Sequence, residues 1–397
     1  MLTAVIAAGD ETGTIATDDV RVVFEVSLSS IAEKSSSKPN DLFVAGNLKV
    51  LGQWRPDGLR LEQSKDGWYR GEFLVAPGTE VAFKITGGSW TEVEKDSEGR
   101  DIRNRQFKIS SMADGKPQPI VVTVEQWASP QQVRSSVTGK LVMHEKFNSK
   151  HLPSSRHVSV WLPPGYDSSS ERYPVLFLHD GQNLFDEATA AFGVEWQADE
   201  TTTELIDNKE ISPVILVGIW NTPERIDEYT FTKDSQLQRG GQGLGYIQFV
   251  ADELKPFIDG TYRTRSDRDS TWIGGSSLGG LISMHACLVR PDVFGGCLAF
   301  SPSLGWDEER LLKTLQTGSK WPSDVRLCFS MGTKEGQNTD SHSVNLSRAR
   351  RLVEVLRPSD SASIQFQEYP DGTHDEGAWF TQFPTAMKFL LGSATAK

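Results

Sequence analysis

The sequence predicts an α/β fold with a mostly parallel sheet over residues 140–397, preceded by a small all-β sandwich over residues 20–127. Two observations favour this division. Apolar residues alternate with polar ones before residue 128, whereas strand-like and helix-like patterns follow one another after residue 139. The chain of 397 residues is also too long for one ordinary hydrophobic core.

The first half contains short alternating segments separated by turn residues such as RPDG and APGT. This spacing is typical of a β-sandwich of about a hundred residues. Residues 1–19 form an N-terminal tail, which is either the remnant of a signal peptide or a frayed end. The predicted strands are VRVVFEVSL, DLFVAGNL, GWYRGEFLV, EVAFKIT, RQFKIS and PIVVTVEQW.

Residues 128–139 are rich in Ser and Gln and lack an apolar period, so they are the predicted linker. Two strands that resemble a hairpin follow, and then apolar runs typical of buried parallel strands. Helical patterns such as QFVADELKPFIDGTY, SRARRLVEVL and EGAWFTQFPTAMKFLL lie between or after these runs. Ligands of such sheets bind at the carboxyl ends of the strands, so residues directly after each strand are candidates for function.

The bulk composition excludes several classes of partner. A net charge of −12 and the absence of a basic stripe argue against nucleic acid, and no apolar run is long enough to span a membrane. Three cysteines in apolar segments are too few for a disulfide scaffold or a Cys-based metal site. The compartment stays open between secreted, periplasmic and cytoplasmic.

The segment STWIGGSSLGG places a G-x-S-x-G pattern between a predicted strand and a predicted helix. In that context the pattern predicts a nucleophile elbow, in which Ser277 sits on a strained turn and Gly275 and Gly279 let the strand and helix approach closely. The alternative is a Gly-rich turn with an idle serine. The glycines do not fit the dinucleotide-binding spacing.

A nucleophilic serine needs a histidine base and a carboxylate that orients it. His374, in a turn-rich loop after the last predicted strand, is the predicted base, whereas His342 begins a helix. Glu335 follows the strand RLCFSMG and is the predicted acid, with Asp340 as its competitor. The predicted oxyanion-hole donors are the backbone N–H groups of Leu278 and Gln182.

Several segments after residue 140 resemble the esterase family that includes esterase D-like enzymes, feruloyl esterases and enterochelin esterases. The matching segments are WLPPGY, PVLFLHDGQNLF, VGIWNTPERIDEYT, IGGSSLGG, MGTKEG and GTHDEGAW. The resemblance implies an α/β-hydrolase fold, a Ser–Glu–His triad, and neither cofactor nor metal. Relatives often carry Asp near the position of Glu335.

Residues 20–125 resemble a family 20 starch-binding module through VAGNLKVLGQW, DGWY and APGTEVAFKIT. The resemblance implies a sugar-binding platform that includes Trp54, Lys84 and Asn104. Trp90 is the candidate for the second platform tryptophan, although it does not align cleanly with that position. The alternative is a β-sandwich that has lost its ligand.

Together these features predict a serine esterase that acts through an acyl-enzyme on acetyl or feruloyl esters of carbohydrates, with α-glucan bound by the N-terminal module. A siderophore esterase and a non-catalytic glucan-binding protein are the alternatives. Asn221, Arg225 and Trp196 are predicted to contact the substrate, and loop packing is the competing role for each. Arg225 is expected to pair with a substrate carboxylate or with a neighbouring acidic side chain such as Asp227 or Glu228. The substrate class favours a secreted or periplasmic protein.

Overall fold

The computed structural model describes residues 6–7, 19–100, 102, 104–110, 116–128, 135–336, 339–356 and 364–392. The chain divides into two compact units, Met1–Val133 with Ala191–Gly193, and Arg134–Ala190 with Val194–Lys397. Most of the predicted N-terminal tail, and residues 129–134 of the predicted linker, lie outside the described residues.

The N-terminal unit is rich in β-structure, and its strands form one continuous sheet in the order β8-β6-β3-β4-β5-β2-β9, with β1 paired to β5. β7 and β10 form a separate pair. The unit also contains the helix α1 (Ser30–Lys34) and a 3₁₀ turn, Lys49–Trp54. The strands are β1 (Ile6–Ala7), β2 (Val20–Leu28), β3 (Leu42–Gly46), β4 (Leu59–Gln63), β5 (Tyr69–Val75), β6 (Glu80–Thr86), β7 (Glu94–Lys95), β8 (Arg105–Lys108), β9 (Gln118–Val124) and β10 (Gln126–Trp127).

The sequence pattern did not predict the two-residue strands β1 and β7 or the longer strand β4. The first residues of β4 pair with β3, and Glu62 and Gln63 then pair with β5, so β4 joins two groups of strands at a corner. The larger sheet of the unit is therefore continuous through β4, and the all-β sandwich stays a prediction. Its core is centred on Phe24 of β2, which stacks on Phe73 and contacts Phe83 edge-on at a centroid distance of 4.8 Å.

The C-terminal unit contains a mixed eight-stranded sheet in the order β11-β12-β14-β13-β15-β16-β17-β18. The β11–β12 and β12–β14 pairs are antiparallel, as expected for a hairpin at one edge, and the pairs from β14 to β18 are parallel. The strands are β11 (Lys140–Phe147), β12 (Arg156–Leu162), β13 (Val175–His179), β14 (Ile215–Ile219), β15 (Thr271–Ser276), β16 (Gly296–Phe300), β17 (Arg326–Gly332) and β18 (Ile364–Tyr369).

Alternate side chains of the central strands enter two different hydrophobic cores. Val175 and Phe177 of β13 belong to one cluster of buried residues, and Leu176 and Leu178 belong to another. Because both faces are buried, the strands carry continuous apolar runs rather than an apolar–polar alternation. The carboxyl ends of the parallel strands therefore form a common edge at which loops meet.

Helices connect and cover these strands. One predicted helix is interrupted: a π-helical turn, Phe249–Leu254, precedes the helix that contains Pro256, which lacks the N–H that a regular helix would use. Among the described residues, no helix is both long and apolar enough to cross a membrane. The helices are α2 (Ala198–Asp207), α3 (Arg225–Glu228), α4 (Gly243–Gln248), α5 (Lys255–Thr261), α6 (Leu278–Val289), α7 (Trp306–Gln316), α8 (Thr339–Leu356) and α9 (Glu376–Leu391).

Candidate active site

Ser277 lies in the sharp bend between β15 and α6. Its φ of 55° and ψ of −122° are unfavourable for a residue with a side chain. Two hydrogen bonds hold this backbone in place: the Ser277 N–H donates to the carbonyl oxygen of Phe300 at 2.9 Å, and the Ser303 N–H donates to the Ser277 carbonyl oxygen at 3.1 Å. The end of β16 thus stabilises a bend that turns the Ser277 hydroxyl toward the loops at the sheet edge.

The two glycines that flank Ser277 make room for a neighbouring side chain. A Cβ atom on Gly275 or Gly279 would lie within 3.1 or 3.2 Å of the side chain of His179 on β13. His179 is completely buried, its Nδ1 lies 2.8 Å from the Tyr246 hydroxyl, and burial lowers its pKa to about 3. His179 is therefore a neutral packing residue.

His374 lies in the loop between β18 and α9, and its Nε2 atom is 2.9 Å from the Ser277 Oγ atom. The next residue, Asp375, caps α9 by accepting a hydrogen bond from the Ala378 N–H at 3.0 Å. The His374 ring also contacts Trp379 of α9 edge-on, at a centroid distance of 5.2 Å. The start of α9 therefore fixes the position of the imidazole.

Glu335, in the loop after β17, lies on the other side of this imidazole. Its Oε2 atom is 3.0 Å from His374 Nδ1, and its side chain is only 1% exposed. Its Oε1 atom accepts hydrogen bonds from the Ser301 hydroxyl, at 2.5 Å, and from the Gly332 N–H. Ser301 in turn accepts a hydrogen bond from the Trp379 indole at 2.9 Å. Neutral donors thus hold the buried carboxylate against the histidine.

The competitor Asp340 and two acidic residues close to His374, Asp371 and Asp375, have different surroundings. Asp371 forms an exposed ion pair with Lys334 at 2.8 Å, and Asp375 is the cap of α9. Asp340 lies in the first turn of α8, and its side chain lies outside the described part of the structure. The structure thus brings Ser277, His374 and Glu335 together in one hydrogen-bonded chain.

The two predicted oxyanion-hole donors lie on neighbouring loops. Leu278 is the first residue of α6, and Gln182 lies in a 3₁₀ turn, Gly181–Asn183, directly after β13. β13 and β15 are adjacent parallel strands, so the loops that follow them emerge side by side. A Cβ atom on Gly181 would lie 2.5 Å from the backbone of Gly218, so only glycine lets this turn pack so closely on β14.

A buried ion pair supports the turn that carries Gln182. Asp180 adopts a left-handed conformation, and Arg225 donates to both of its carboxylate oxygens, at 2.7 and 2.8 Å. Asn221 Nδ2 donates to the same carboxylate at 2.6 Å, and the Asn221 N–H donates to the Gln182 side chain at 3.3 Å. Burial opposes ionisation of Asp180, but Arg225 and Asn221 outweigh it and lower its pKa.

Two of the predicted substrate contacts, Asn221 and Arg225, therefore have protein partners at this turn. The expected local partners of Arg225 pair elsewhere, Asp227 with Arg239 and Glu228 with Arg156.

The structure places Trp196 in the core rather than at the border of the cleft. It is 2% exposed and packs against Phe300, Trp379 and Phe383. Its large apolar surface is already buried by these rings.

A cleft of about 350 Å³ opens beside the triad. Apart from Glu335 and His374, its walls come from distant segments without a motif, so the sequence did not predict them. The hydroxyl of Ser303, another lining residue, lies 3.2 Å from that of Ser277. The lining residues are Asp234, Leu237, Ser301, Pro302, Ser303, Gly305, Trp306, Met331, Glu335, Asn345, Arg348 and His374.

The four candidate sugar-binding residues lie in the N-terminal unit. Trp54 ends the 3₁₀ turn after β3, and Trp90 lies in the loop after β6; both are partly exposed. Asn104 is exposed at the start of β8. Lys84 is only 5% exposed, and its ammonium group donates to the carbonyl oxygen of Ile102 at 2.5 Å. The charged group of Lys84 is thus hydrogen-bonded to the backbone.

Comparisons with known proteins identify relatives of part of the chain. The chain is 26% identical over 255 residues to the uncharacterized protein YbbA of Bacillus subtilis, covering 62% of this chain and 96% of YbbA. It is 31% identical over 157 residues to the ferri-bacillibactin esterase BesA of Bacillus subtilis, covering 36% and 51%. It is 27% identical over 168 residues to an endo-1,4-beta-xylanase/feruloyl esterase of Xylanibacter ruminicola, covering 41% and 22%.

A solved structure of the enterobactin esterase of Shigella flexneri has a similar fold. The match has a TM-score of 0.52 and 16% identity, and it covers 95% of this chain and 94% of the other. The family model Esterase, described as "Putative esterase", matches residues 149–390, which is more than half of the chain. The chain therefore belongs to this esterase family, whose model spans the strands and loops that carry Ser277, Glu335 and His374.

Proposed function

We propose that this protein hydrolyses carboxylic esters through an acyl-enzyme formed on Ser277. The observation that carries the proposal is the continuous chain from the Ser277 hydroxyl to His374 at 2.9 Å and from His374 to Glu335 at 3.0 Å. These distances suit proton transfer between a nucleophile and its base. The strained bend that holds Ser277 is a further feature of nucleophile elbows.

In the proposed mechanism, His374 Nε2 accepts the Ser277 proton as Oγ attacks the ester carbonyl. The imidazolium then protonates the departing alcohol, and the acyl group remains on Ser277. Water attacks this acyl-enzyme after losing a proton to His374, which returns that proton to Ser277 as the acid leaves. Glu335 stays ionised, fixes the imidazole tautomer and stabilises its positive form.

The N–H groups of Leu278 and Gln182 are the proposed donors to the negative oxygen of each tetrahedral intermediate. The N-terminus of α6 adds partial positive charge beside it. The ion pair between Asp180 and Arg225 gives the Gln182 turn a fixed position before the substrate arrives. Fixed donors of this kind stabilise the transition state without reorganising during the reaction.

For the substrate, we propose an acyl group attached to a carbohydrate, of the acetyl or feruloyl type. The cleft beside the triad has apolar walls from Leu237, Pro302, Trp306 and Met331, which suit an aromatic acyl group such as feruloyl. The relative from Xylanibacter ruminicola carries the name feruloyl esterase. The resemblance of residues 20–125 to a starch-binding module adds a proposed means of holding a glucan.

A siderophore ester is the second candidate substrate. It is favoured by the identity to the ferri-bacillibactin esterase BesA. The fold match to the enterobactin esterase also covers nearly all of both chains, so it includes most of the β-rich N-terminal unit. A catecholate acyl group is aromatic, so the same apolar walls would accommodate it. A glucan-binding protein with an inactive esterase half is the third alternative.

The test is a panel of acetyl, feruloyl, glucuronoyl and catecholate trilactone esters assayed with wild type and Ser277→Ala. Activity on at least one ester that the variant lacks is expected, and equal rates for the two proteins would refute the proposed mechanism. Preference for feruloyl or acetyl sugars would support the carbohydrate substrate. Preference for the trilactone would replace it with the siderophore. Retention on insoluble starch without activity toward any ester would favour the glucan-binding protein.

A further inference from the structure

Three carboxylates gather at the start of α2, apart from the proposed triad. One oxygen from each of Glu195, Asp199 and Glu200 lies within 4.8 Å of the others. Glu195 is 4% exposed and Asp199 is completely buried. Like charges held this close, and away from water, require a compensating positive charge or a proton.

Among the described residues, hydrogen-bond donors reach one oxygen of each carboxylate. The Ser136 hydroxyl donates to Glu195 Oε1 at 2.5 Å. Thr138 donates through its N–H to Asp199 Oδ2 at 2.6 Å and through its hydroxyl to Glu200 Oε1 at 3.1 Å. The remaining oxygens, Glu195 Oε2, Asp199 Oδ1 and Glu200 Oε2, are buried and have no hydrogen-bond partner among the described residues. Buried oxygens of this kind are uncommon unless another group binds them.

We propose that Glu195, Asp199 and Glu200 bind one calcium ion. Calcium takes oxygen ligands at about 2.3–2.6 Å, so oxygens on opposite sides of the ion are about 5 Å apart. The three carboxylate oxygens fit within that span. The donors are all oxygens, which suit a hard cation rather than zinc or copper. Magnesium requires a smaller, near-octahedral shell, so it fits this set less well.

The site has a structural role. Ser136 and Thr138 belong to the segment before β11, and their hydrogen bonds to these carboxylates hold that segment against α2. An ion that neutralises the carboxylates would keep them ionised and in place to accept these hydrogen bonds. The Thr138 carbonyl oxygen also accepts a hydrogen bond from the Trp161 indole at 2.8 Å. Calcium binding is therefore expected to raise thermal stability without taking part in ester chemistry.

Protons bound to the carboxylates are the alternative to a calcium ion at this site. Burial and the neighbouring carboxylates raise the pKa of Glu195 to about 7, and burial with Glu200 raises the pKa of Asp199 to about 8. Two protonated carboxyl groups would also remove the repulsion. The two occupants differ in one measurable respect, because only calcium makes stability depend on the concentration of a metal ion.

The experiment uses the full chain after treatment with a chelator, at pH 7.5. Calorimetric titration with CaCl₂ should show one ion per chain, and the melting temperature should rise with calcium. Terbium bound at this site should emit when the tryptophans are excited, and calcium should displace it. Glu195→Gln and Asp199→Asn are expected to weaken calcium binding about tenfold or more, since each removes a charged ligand.

The matched control is Glu204→Gln, which removes a carboxylate from the exposed side of the same helix and should leave calcium binding unchanged. Glu200→Gln, at a partly exposed position, provides a third ligand variant if a buried substitution prevents folding. Absence of calcium binding at millimolar concentration would overturn the proposal, as would wild-type affinity in all three ligand variants. Hydrolysis of a nitrophenyl ester reports independently on the proposed active site.

Discussion

The loops on the two sides of Ser277 each contain a buried carboxylate, and they stabilise it with different partners. On the side formed by the loops after β17 and β18, Glu335 is surrounded by neutral donors and by His374. On the side formed by the loops after β13 and β14, Asp180 is paired with Arg225 through two hydrogen bonds. The first carboxylate faces a group that is proposed to change charge, and the second faces a permanent cation.

This difference follows from what each side is proposed to do. A cation beside Glu335 would compete with the imidazolium that the carboxylate is proposed to stabilise, so neutral donors are the suitable partners. The turn with Gln182 uses only its backbone, so its carboxylate can be fully neutralised by Arg225. Neutral partners therefore suit the proposed chemistry, whereas a complete ion pair suits the rigidity of the backbone donor.

The largest expected effect is that of Ser277→Ala. Removal of the nucleophile should lower kcat/KM for a nitrophenyl ester by about 10⁴-fold or more, because the rest of the triad cannot act without it. The matched control is Ser276→Ala, which alters the neighbouring buried serine of β15 and should retain activity within about tenfold. A similar loss in both variants would point to folding, which circular dichroism would detect.

Glu335→Gln should lower kcat by about 10³-fold, because the amide still fills the space but no longer stabilises a positive imidazole. Asp340→Asn, at the competing position, should leave kcat close to that of wild type. The measurement is steady-state hydrolysis of the same ester. If Asp340→Asn loses most of its activity while Glu335→Gln stays active, the acid of the triad is Asp340 rather than Glu335.

Arg225→Met should affect stability and activity together. It leaves the Asp180 carboxylate buried without its cation, at an expected cost of about 3 kcal/mol in urea unfolding. Displacement of the Gln182 N–H should also lower kcat by about 10²-fold. The double variant Asp180→Asn with Arg225→Met removes both charges and should recover most of the stability. If it does not, packing rather than charge explains the loss.

His179 should make stability depend on pH. Its folded pKa of about 3 lies below the ordinary value of 6.5, so only the unfolded chain takes up a proton between these values. The stability contributed by neutral His179 is therefore complete above pH 6.5 and is lost as the pH falls toward 3. The difference in free energy of unfolding between wild type and His179→Gln should decrease by about 1.4 kcal/mol for each unit by which the pH falls within that range. A constant difference would contradict the lowered pKa.

Ser303→Ala should have the smallest effect. The Ser303 hydroxyl lies 3.2 Å from that of Ser277, so its loss removes one weak hydrogen bond beside the nucleophile. A decrease of about threefold in kcat/KM is expected, with an unchanged melting temperature. A decrease comparable to that of Glu335→Gln would mean that Ser303 belongs to the reacting groups.

The sequence predicted the strands of the C-terminal unit closely, because strands buried on both faces leave continuous apolar runs. It also predicted which loops carry Ser277, Glu335 and His374, since these loops follow strands that end at one edge. It did not predict the pairing of Arg225 with Asp180, which lies 45 residues away, and it named the sequence neighbours Asp227 and Glu228 instead. Tertiary pairing of this kind leaves no local pattern.

Other differences have similarly physical causes. Trp196 was expected at the cleft because it lies in a predicted loop, with loop packing as the competing role, but its neighbours Phe300 and Phe383 come from distant segments and enclose it. The strand β4 is short and has only two buried positions, so its alternation is too brief to recognise. The strands β1 and β7 have only two residues each, which is too short for an alternation. The sequence pattern predicted the remaining strands of the N-terminal unit but could not place the charge of Lys84 against a backbone carbonyl.

His374 is attached directly to the cap of α9, and α9 packs its remaining length into the core through Phe383, Met387 and Leu390. The position of the imidazole therefore depends on the packing of α9 against the core. Partial detachment of α9 would withdraw the ring from Ser277 while the sheet stayed intact. Moderate warming would then abolish turnover reversibly at a temperature below that of global unfolding. The loss of activity would therefore measure the local unfolding of α9.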